Sequence, residues 1–293
     1  MTMNPVTLDT LLTRADALLA RLETVLPRPA AAVDWSASTA FRYRRRGQAA
    51  GAIEPVRHVA TIRLPELKEV DAQKQRLVAN TRQFVEGRPA NNVLLTGARG
   101  TGKSSLIKAC LNEFAPQGLR LIEVDKADLV DLTDIVDQIA ERTERFVIFC
   151  DDLSFDEGEP GYKALKSVLD GSVAQASDNV LIYATSNRRH LLPEYMKENL
   201  TYTHTEDGEV HPGEVVEEKI SLSERFGLWL SFYPFTQAEY LAIVAQWLAH
   251  FGVTDAARVA SARPEALVWA LERGSRSGRV AYQFARDYCG RAA

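Results

Sequence analysis

The segment GARGTGKS, residues 97–104, has the composition and spacing of a phosphate-binding loop. It matches the pattern G-x-x-x-x-G-K-[ST] in full, and it lies between an apolar strand-like run and a helix-like run. Glycines let backbone N–H groups close around phosphate oxygens, the lysine reaches the β- and γ-phosphates, and the serine hydroxyl can ligate Mg²⁺. We predict that the nucleotide is held by Gly97, Ala98, Arg99, Gly100, Thr101, Gly102, Lys103, Ser104 and Ser105, with Ser104 also a metal ligand.

A second segment, FVIFCDD at residues 146–152, ends an apolar run in two aspartates. In a parallel sheet this places both carboxylates at the C-terminal edge, where ligands of α/β proteins bind. We predict that Asp151 holds Mg²⁺ and that Asp152 orients or activates the attacking water. Glutamate is more usual at the second position, and a misplacement of ~1 Å can cost ~10²-fold in rate. Because aspartate keeps the charge and the acceptor, we expect slow hydrolysis rather than a site that only binds.

Three further positions carry polar groups suited to the same chemistry. Asn187 follows the apolar run NVLIYATS and is placed to share the water with Asp152. Arg225 lies in SLSERFG, and Arg276 and Arg279 lie in GSRSGR. The arginine fork is rigid and always ionised, which suits phosphoryl charge. Each position also has a plainer interpretation, a strand-end cap for Asn187 and a surface salt bridge for each arginine.

From about residue 56, predicted apolar strands alternate with predicted helices. These elements must position the phosphate loop, the two aspartates and Asn187. Strands are predicted at 91–95, 119–124, 145–150 and 179–186, with a helix between each consecutive pair. This order predicts an α/β fold, a P-loop parallel sheet with helices on both faces. After about residue 233 only helical patterns occur, beginning with the T-x-x-E capping box of Thr236 and Glu239, so a small all-α lid domain is predicted. The predicted units are 1–55, 56–232 and 233–293.

The N-terminal unit combines a helix with a basic segment. Residues 7–26 predict an amphipathic helical extension, either a short coiled coil or partner-docking helix, or a helix packed on its own domain. The second interpretation is favoured because the stripe is shorter than three or four heptads. Residues 30–55 have the composition of a linker. Its FRYRRRG segment interleaves aromatic rings with arginines that could grip single-stranded nucleic acid, although solvated surface is favoured: Arg42, Arg44, Arg45 and Arg46.

Composition narrows the class of protein. The 293 residues are 46% apolar and 25% charged, and the net charge of −4 argues against a surface covered with basic residues for nucleic acid. No apolar run is long enough to cross a membrane, and the N-terminus lacks the pattern of a secretory signal. Cys110, Cys150 and Cys289 are far apart, which argues against a disulfide framework and favours a reduced, cytoplasmic compartment.

The order of phosphate loop, Asp-Asp strand, Asn187, SERF arginine and helical tail resembles the AAA+ ATPases over about residues 56–293. PANNVLLTGARGTGKSSLIKA, FCDDLSF, YATSNRRHLLPEY and SLSERFGLWLSFYPF are similar to a poorly characterised bacterial family of predicted AAA+ ATPases. The resemblance implies that Arg225 is an arginine finger reaching a neighbouring subunit's nucleotide. It also implies that Arg276 or Arg279 is the lid sensor and that Val70 touches adenine.

The resemblance further implies a Mg²⁺-dependent ATPase that forms a homo-oligomer with ATP. The favoured function is remodelling or switching of an unidentified protein partner. The alternative is an ATP-controlled loader or binding module for nucleic acid or protein, with hydrolysis as the reset. Threading of polypeptide is disfavoured because DKADLVDL, after the second strand, has no aromatic residue and no glycine.

Overall fold

A computed structural model describes residues 8–25, 32–45, 51–155, 159–170, 178–188, 191, 203–204, 210–211 and 222–291. The strands are β1 (Ala40–Arg44), β2 (Ala52–Pro55), β3 (Val93–Gly97), β4 (Leu119–Glu123), β5 (Arg145–Cys150), β6 (Val180–Ser186), β7 (Thr203–His204), β8 (Val210–His211) and β9 (Leu228–Phe232). The helices are α1 (Leu8–Val25), α2 (Asp71–Val85), α3 (Lys103–Phe114), α4 (Leu132–Ile139), α5 (Pro160–Asp170), α6 (Gln237–His250), α7 (Ala256–Glu272) and α8 (Gly278–Arg291). Short 3₁₀ helices span Leu64–Glu66, Ala115–Gln117 and Lys126–Asp131.

The main sheet has seven strands in the order β2-β1-β4-β5-β6-β3-β9. Within this sheet the β1–β2 pairing of the described strands is antiparallel and the other pairings are parallel. The short strands β7 and β8 form a separate antiparallel pair. Because the carboxyl ends of parallel strands meet at one edge, the segments that follow β3, β5 and β6 come together there. The predicted α/β class with a parallel sheet is confirmed, and the chain ends in the predicted helices, α6 to α8.

Both faces of the sheet are buried, as the continuous apolar strands predicted. In β5, Phe146, Ile148 and Cys150 belong to one apolar cluster with α4 and α5, whereas Val147 and Phe149 belong to another with α2, α3 and the C-terminal helices. The side chains alternate because successive residues of a strand point to opposite faces. None of these five residues is more than 2% exposed, so the strand that carries the Asp-Asp pair is held rigidly from both sides.

The prediction of a linker over residues 30–55 is wrong where the structure describes that segment. Residues 40–44 and 52–55 are strands, and β1 extends the sheet by pairing in parallel with β4. Phe41 and Tyr43 are 0% and 2% exposed, so their rings cannot stack on nucleotide bases. Aromatic and basic residues alternate here because successive residues of a strand point to opposite faces, one of which is buried. The alternation therefore reflects a strand and not a nucleic-acid-binding surface.

Two of the arginines in this segment form ion pairs within the chain. Arg42 Nε lies 2.9 Å from a Glu123 carboxylate oxygen, and Arg45 pairs with Asp131 at 2.7 Å. The Tyr43 hydroxyl donates to the same Asp131 carboxylate at 3.0 Å, and burial raises the pKa of that phenol to about 12. These contacts attach β1 and Arg45 to the end of β4 and to the 3₁₀ helix that follows it. Of the other two arginines, Arg44 lies in β1 and Arg46 lies outside the described residues.

The helix predicted at the N-terminus is present as α1, but the leucines whose side chains the structure describes do not pack on the domain. Leu8, Leu11, Leu12, Leu18 and Leu19 are between 53% and 73% exposed against everything that the structure describes. The favoured interpretation of a helix packed on its own domain is therefore wrong for the part of α1 whose side chains the structure describes.

The apolar stretch before the C-terminal helices contains a strand that the sequence patterns did not indicate. β9 pairs in parallel with β3, and the Trp229 indole donates to the Thr96 hydroxyl at 2.7 Å. The predicted capping box that follows is confirmed, because the Thr236 hydroxyl accepts from the Glu239 N–H and the Glu239 carboxylate accepts from the Thr236 N–H. Among the described helices, none has the length and hydrophobicity needed to span a bilayer.

Candidate functional site

The predicted phosphate loop connects the end of β3 to the start of α3 and depends on glycine at two close contacts. Gly97 has φ +121°, and a Cβ there would lie 1.9 Å from the Phe232 carbonyl oxygen. Gly100 has φ +73°, and its Cβ would lie 2.8 Å from Ser277 Oγ. Positive φ disfavours side chains, and these contacts leave no room for them. The loop is therefore fitted between β9 on one side and the start of α8 on the other.

Lys103, the first residue of α3, is only 6% exposed. Its ammonium donates at 2.8 Å to the carbonyl oxygens of Gly97 and Ala98 and at 3.0 Å to Asn187 Oδ1. The loop lysine and the asparagine after β6, identified separately in the sequence, are thus in direct contact.

The electrostatic surroundings of Lys103 favour a negative ligand. Burial lowers the pKa of its ammonium, and the nearby Asp152 and Asp151 carboxylates oppose that shift. A buried cation is costly unless anions compensate it. A phosphate group at the loop would add such compensation.

The Asp151 carboxylate joins the loop to two strands. Its Oδ1 accepts hydrogen bonds from Ser104 Oγ and from Thr185 Oγ1, both at 2.6 Å. Sequence reasoning identified Asp151 and Ser104 but missed Thr185, whose only signal was a hydroxyl two residues before Asn187. Carboxylate and hydroxyl oxygens are hard donors of the kind Mg²⁺ prefers, completed by water and substrate phosphates. The donor set fits Mg²⁺, although the described residues contain no cluster of three or more His, Cys, Asp or Glu side chains suited to a metal.

Asp152 adopts an unusual backbone conformation and contacts Thr185 and Asn187 at the end of β6. Its φ is +53°, in the left-handed region that aspartate tolerates better than most residues. Its N–H donates to Thr185 Oγ1 at 2.9 Å, and its carboxylate accepts from the Asn187 amide. Hydrogen bonds therefore connect Lys103, Asn187 and Asp152 in series.

A cavity of about 460 Å³ adjoins the loop, within the usual size range of small-molecule sites. Gly100, Thr101, Gly102 and Ser105 line it from the loop side. From the other sides it is lined by apolar and aromatic residues, among them Ile62, Leu67, Val70, Ile243, Trp247 and Tyr282.

The position of the cavity distinguishes Arg276 from Arg279, the two arginines between which the sequence did not decide. Arg279 lines it, whereas Arg276 is not among its described lining residues. Val70, expected at the adenine, is 4% exposed and also lines it.

The C-terminal helices contact the loop directly. The Gly278 N–H, at the start of α8, donates to the Gly100 carbonyl at 2.8 Å. The Gln246 amide donates to the Glu66 carbonyl at 2.7 Å, which ties α6 to the 3₁₀ helix before α2. Ser277 was not identified from sequence, since it lies far along the chain from the loop and no local pattern marks the contact.

Gly100→Ala should therefore loosen the docking of α8. The added Cβ would clash with Ser277, so we expect faster amide hydrogen exchange in α8 and a loss of more than about 1 kcal/mol of stability. Gly118→Ala is the matched control, because Gly118 also has positive φ but a Cβ there meets nothing within 4 Å. Equal exchange in α8 for the two variants would show that the Gly100 contact does not hold the lid.

Arg225 is not among the described residues that line the cavity. Its side chain is 24% exposed and forms an ion pair with Asp170, at the end of α5. Within a single chain, Arg225 therefore forms a salt bridge, which was the alternative to a role in phosphate chemistry. A role toward a neighbouring subunit remains a prediction.

Comparison with known proteins identifies the family. The family model described as "Protein of unknown function (DUF815)" matches residues 36–292. The chain belongs to this family. The match begins 20 residues before position 56, where the resemblance was predicted to start, and so includes β1 and β2. A search of curated proteins finds no match.

Solved structures show that the chain shares its fold with RuvB. A RuvB variant from Thermotoga maritima is 17% identical, covers 78% of this chain and 64% of that chain, and has a TM-score of 0.52. The T. maritima RuvB Holliday junction branch migration motor is 18% identical with the same coverage and a TM-score of 0.46. Aeropyrum pernix ORC1 in complex with DNA is 14% identical, covers 75% and 65%, and has a TM-score of 0.43. The fold assignment rests on the first; the matched region spans less than two thirds of the RuvB chain.

Proposed function

We propose that this member of the family binds ATP with Mg²⁺ at the phosphate loop and hydrolyses it slowly. The observation that carries the proposal is the hydrogen-bond network joining the loop to the ends of β5 and β6. Ser104 contacts Asp151, and Lys103 contacts Asn187, which contacts Asp152. These side chains come from three separate segments and meet at one edge of the sheet, where ligands of α/β folds bind.

Each residue has a role suited to its position. Lys103 and the loop N–H groups bind the phosphates, and the start of α3 favours the anion. Ser104 and Asp151 would hold Mg²⁺, which neutralises charge on the phosphate oxygens. Asp152 accepts a proton from the attacking water, and Asn187 orients Asp152 through its amide. The left-handed φ of Asp152 supports this role, because it turns the shorter carboxylate toward Asn187.

The lid completes the nucleotide site. The cavity beside the loop takes the base between Val70 and the apolar residues of α6, and Arg279 is the lid sensor in preference to Arg276. Since Gly278 and Ser277 contact Gly100 of the loop, a change at the phosphates shifts the lid helices through packed groups. This direct coupling supports a protein in which ATP state changes the lid position.

The change in lid position remodels or switches a protein partner. The segment after β4 supports switching over threading of polypeptide, because it forms a 3₁₀ helix with Leu129 fully buried and is fastened by Asp131 to Arg45 and Tyr43. The alternative of a nucleic-acid loader loses its main support. Phe41 and Tyr43 are buried, and two of the four arginines are paired with acids.

Release of phosphate from ATP tests the proposal. The wild-type protein should release phosphate with Mg²⁺ and lose this activity with EDTA, and Asp151→Ala should abolish it. Asp137→Ala is the matched control, since Asp137 is an exposed carboxylate of α4. Wild-type protein that binds ATP but releases no phosphate with Mg²⁺ would reduce the proposal to a binding module.

A further inference from the structure

α1 presents an apolar stripe that no other part of the described chain covers. Five leucines of this helix are between 53% and 73% exposed: Leu8, Leu11, Leu12, Leu18 and Leu19. Scattered exposed leucines are ordinary, but a contiguous apolar patch on one element marks an interaction surface. The stripe therefore needs an occupant from outside the described part of this chain.

The spacing of the stripe identifies the shape of that occupant. Leu8, Leu11, Ala15 and Leu18 occupy successive a and d positions of a heptad, and residues 22 and 25 continue the pattern in the sequence with leucine and valine. A repeat of 3.5 residues keeps an apolar seam facing one partner helix along its whole length. Leu12 and Leu19 occupy e positions and widen the seam. The occupant is accordingly another helix with the same repeat.

The charges of α1 decide against a lipid surface. Residues 8–25 contain two arginines, Arg14 and Arg21, against three acids, Asp9, Asp16 and Glu23. Interfacial helices that bind anionic membranes carry an excess of Lys and Arg on the polar face. α1 has a net negative charge, so electrostatic attraction to such a membrane is absent.

The same charges favour a second copy of α1 in parallel orientation. In an antiparallel pair the g positions face each other, which would bring Arg14 close to Arg21 of the other helix. In a parallel, in-register pair each g position instead flanks an e position five residues along. The aliphatic stem of Arg14 then covers Leu19 of the other copy, and leucine meets leucine at positions 8, 11 and 18.

We propose that α1 pairs with α1 of a second copy of this chain in a parallel, in-register coiled coil. The seam is self-complementary, as an isologous contact requires. The pairing does not depend on nucleotide, although ATP-driven assembly of subunits would raise the local concentration of the helices and strengthen it.

Disulfide trapping tests the pairing and its direction. In full-length protein carrying Cys289→Ser, with the buried Cys110 and Cys150 retained, Leu11→Cys is oxidised with diamide and run on a non-reducing gel. In the parallel pair two Leu11→Cys thiols face each other, and the covalent dimer should be the major species. In an antiparallel pair, position 11 faces position 22 instead, so the thiols would lie about 16 Å apart.

Thr13→Cys is the matched control, because position 13 is an exposed f position on the opposite side of α1. It should stay monomeric under the same oxidation. Adding Lys103→Ala should leave the Leu11→Cys dimer in place, so the outcome is separable from failure of ATP binding. Equal dimer yields from Leu11→Cys and Thr13→Cys, or a monomer from both, would overturn the proposal and assign the stripe to a different partner.

Discussion

Arg225→Ala should bind ATP with unchanged affinity and hydrolyse it ~10³- to 10⁵-fold more slowly, the range for an arginine supplied to a transferring phosphoryl group. Within one chain Arg225 does not line the nucleotide cavity; it pairs with Asp170 at the end of α5. We therefore expect it to act on the nucleotide of a neighbouring subunit. Steady-state phosphate release and binding of a labelled ATP analogue measure the two quantities separately.

The ion pair of Arg225 supplies the control for this substitution. Asp170→Ala breaks the same pair but keeps the arginine, so it should retain turnover. Mixing Arg225→Ala with Lys103→Ala should partly restore hydrolysis, because the first variant brings an intact pocket and the second an intact arginine. Wild-type turnover in Arg225→Ala, together with a protein that stays monomeric with ATP at all concentrations, would reject the oligomeric ATPase.

Asp152→Asn should keep ATP bound and reduce hydrolysis ~10²- to 10⁴-fold, since an amide cannot accept the proton of the attacking water. Single-turnover phosphate release measures this step without product release. Asp152→Glu keeps the charge and adds one methylene, so it should retain substantial activity. Its rate relative to wild type shows whether the shorter side chain of aspartate limits hydrolysis. Unchanged turnover in Asp152→Asn would reject Asp152 as the proton acceptor and leave orientation of the water, together with Asn187, as the only role of this side chain.

The predicted site residues that the structure brings together are those whose positions are encoded locally in the sequence. The phosphate loop is one continuous segment with a strand before it and a helix after it, and Asp151, Asp152 and Asn187 follow apolar runs that are strands. Parallel strands bring such positions to one edge of the sheet. The hydrogen bonds among these groups follow from that topology.

The features that sequence reasoning missed depend on contacts between distant segments. β1 gains its strand structure by pairing with β4, and the Ala, Ser and Gly content of the surrounding residues resembled a linker. Ser277 approaches Gly100 only because the start of α8 packs against the loop. The exposure of the α1 leucines likewise depends on tertiary structure, because an amphipathic pattern does not specify which surface covers the apolar face of the helix.

Binding of a labelled ATP analogue to wild type, Lys103→Ala and Lys108→Ala tests the central claim most directly. Loss of a charge-assisted contact costs ~1.5 to 3 kcal/mol, so Lys103→Ala should weaken binding about 10- to 100-fold. Lys108 lies five residues along the same helix, outside the loop, and its substitution should leave affinity unchanged. Hydrogen exchange of β3 and β5 should confirm that all three proteins keep the fold. Affinity for Lys103→Ala within a few-fold of wild type would contradict the assignment of the phosphate loop as the nucleotide site.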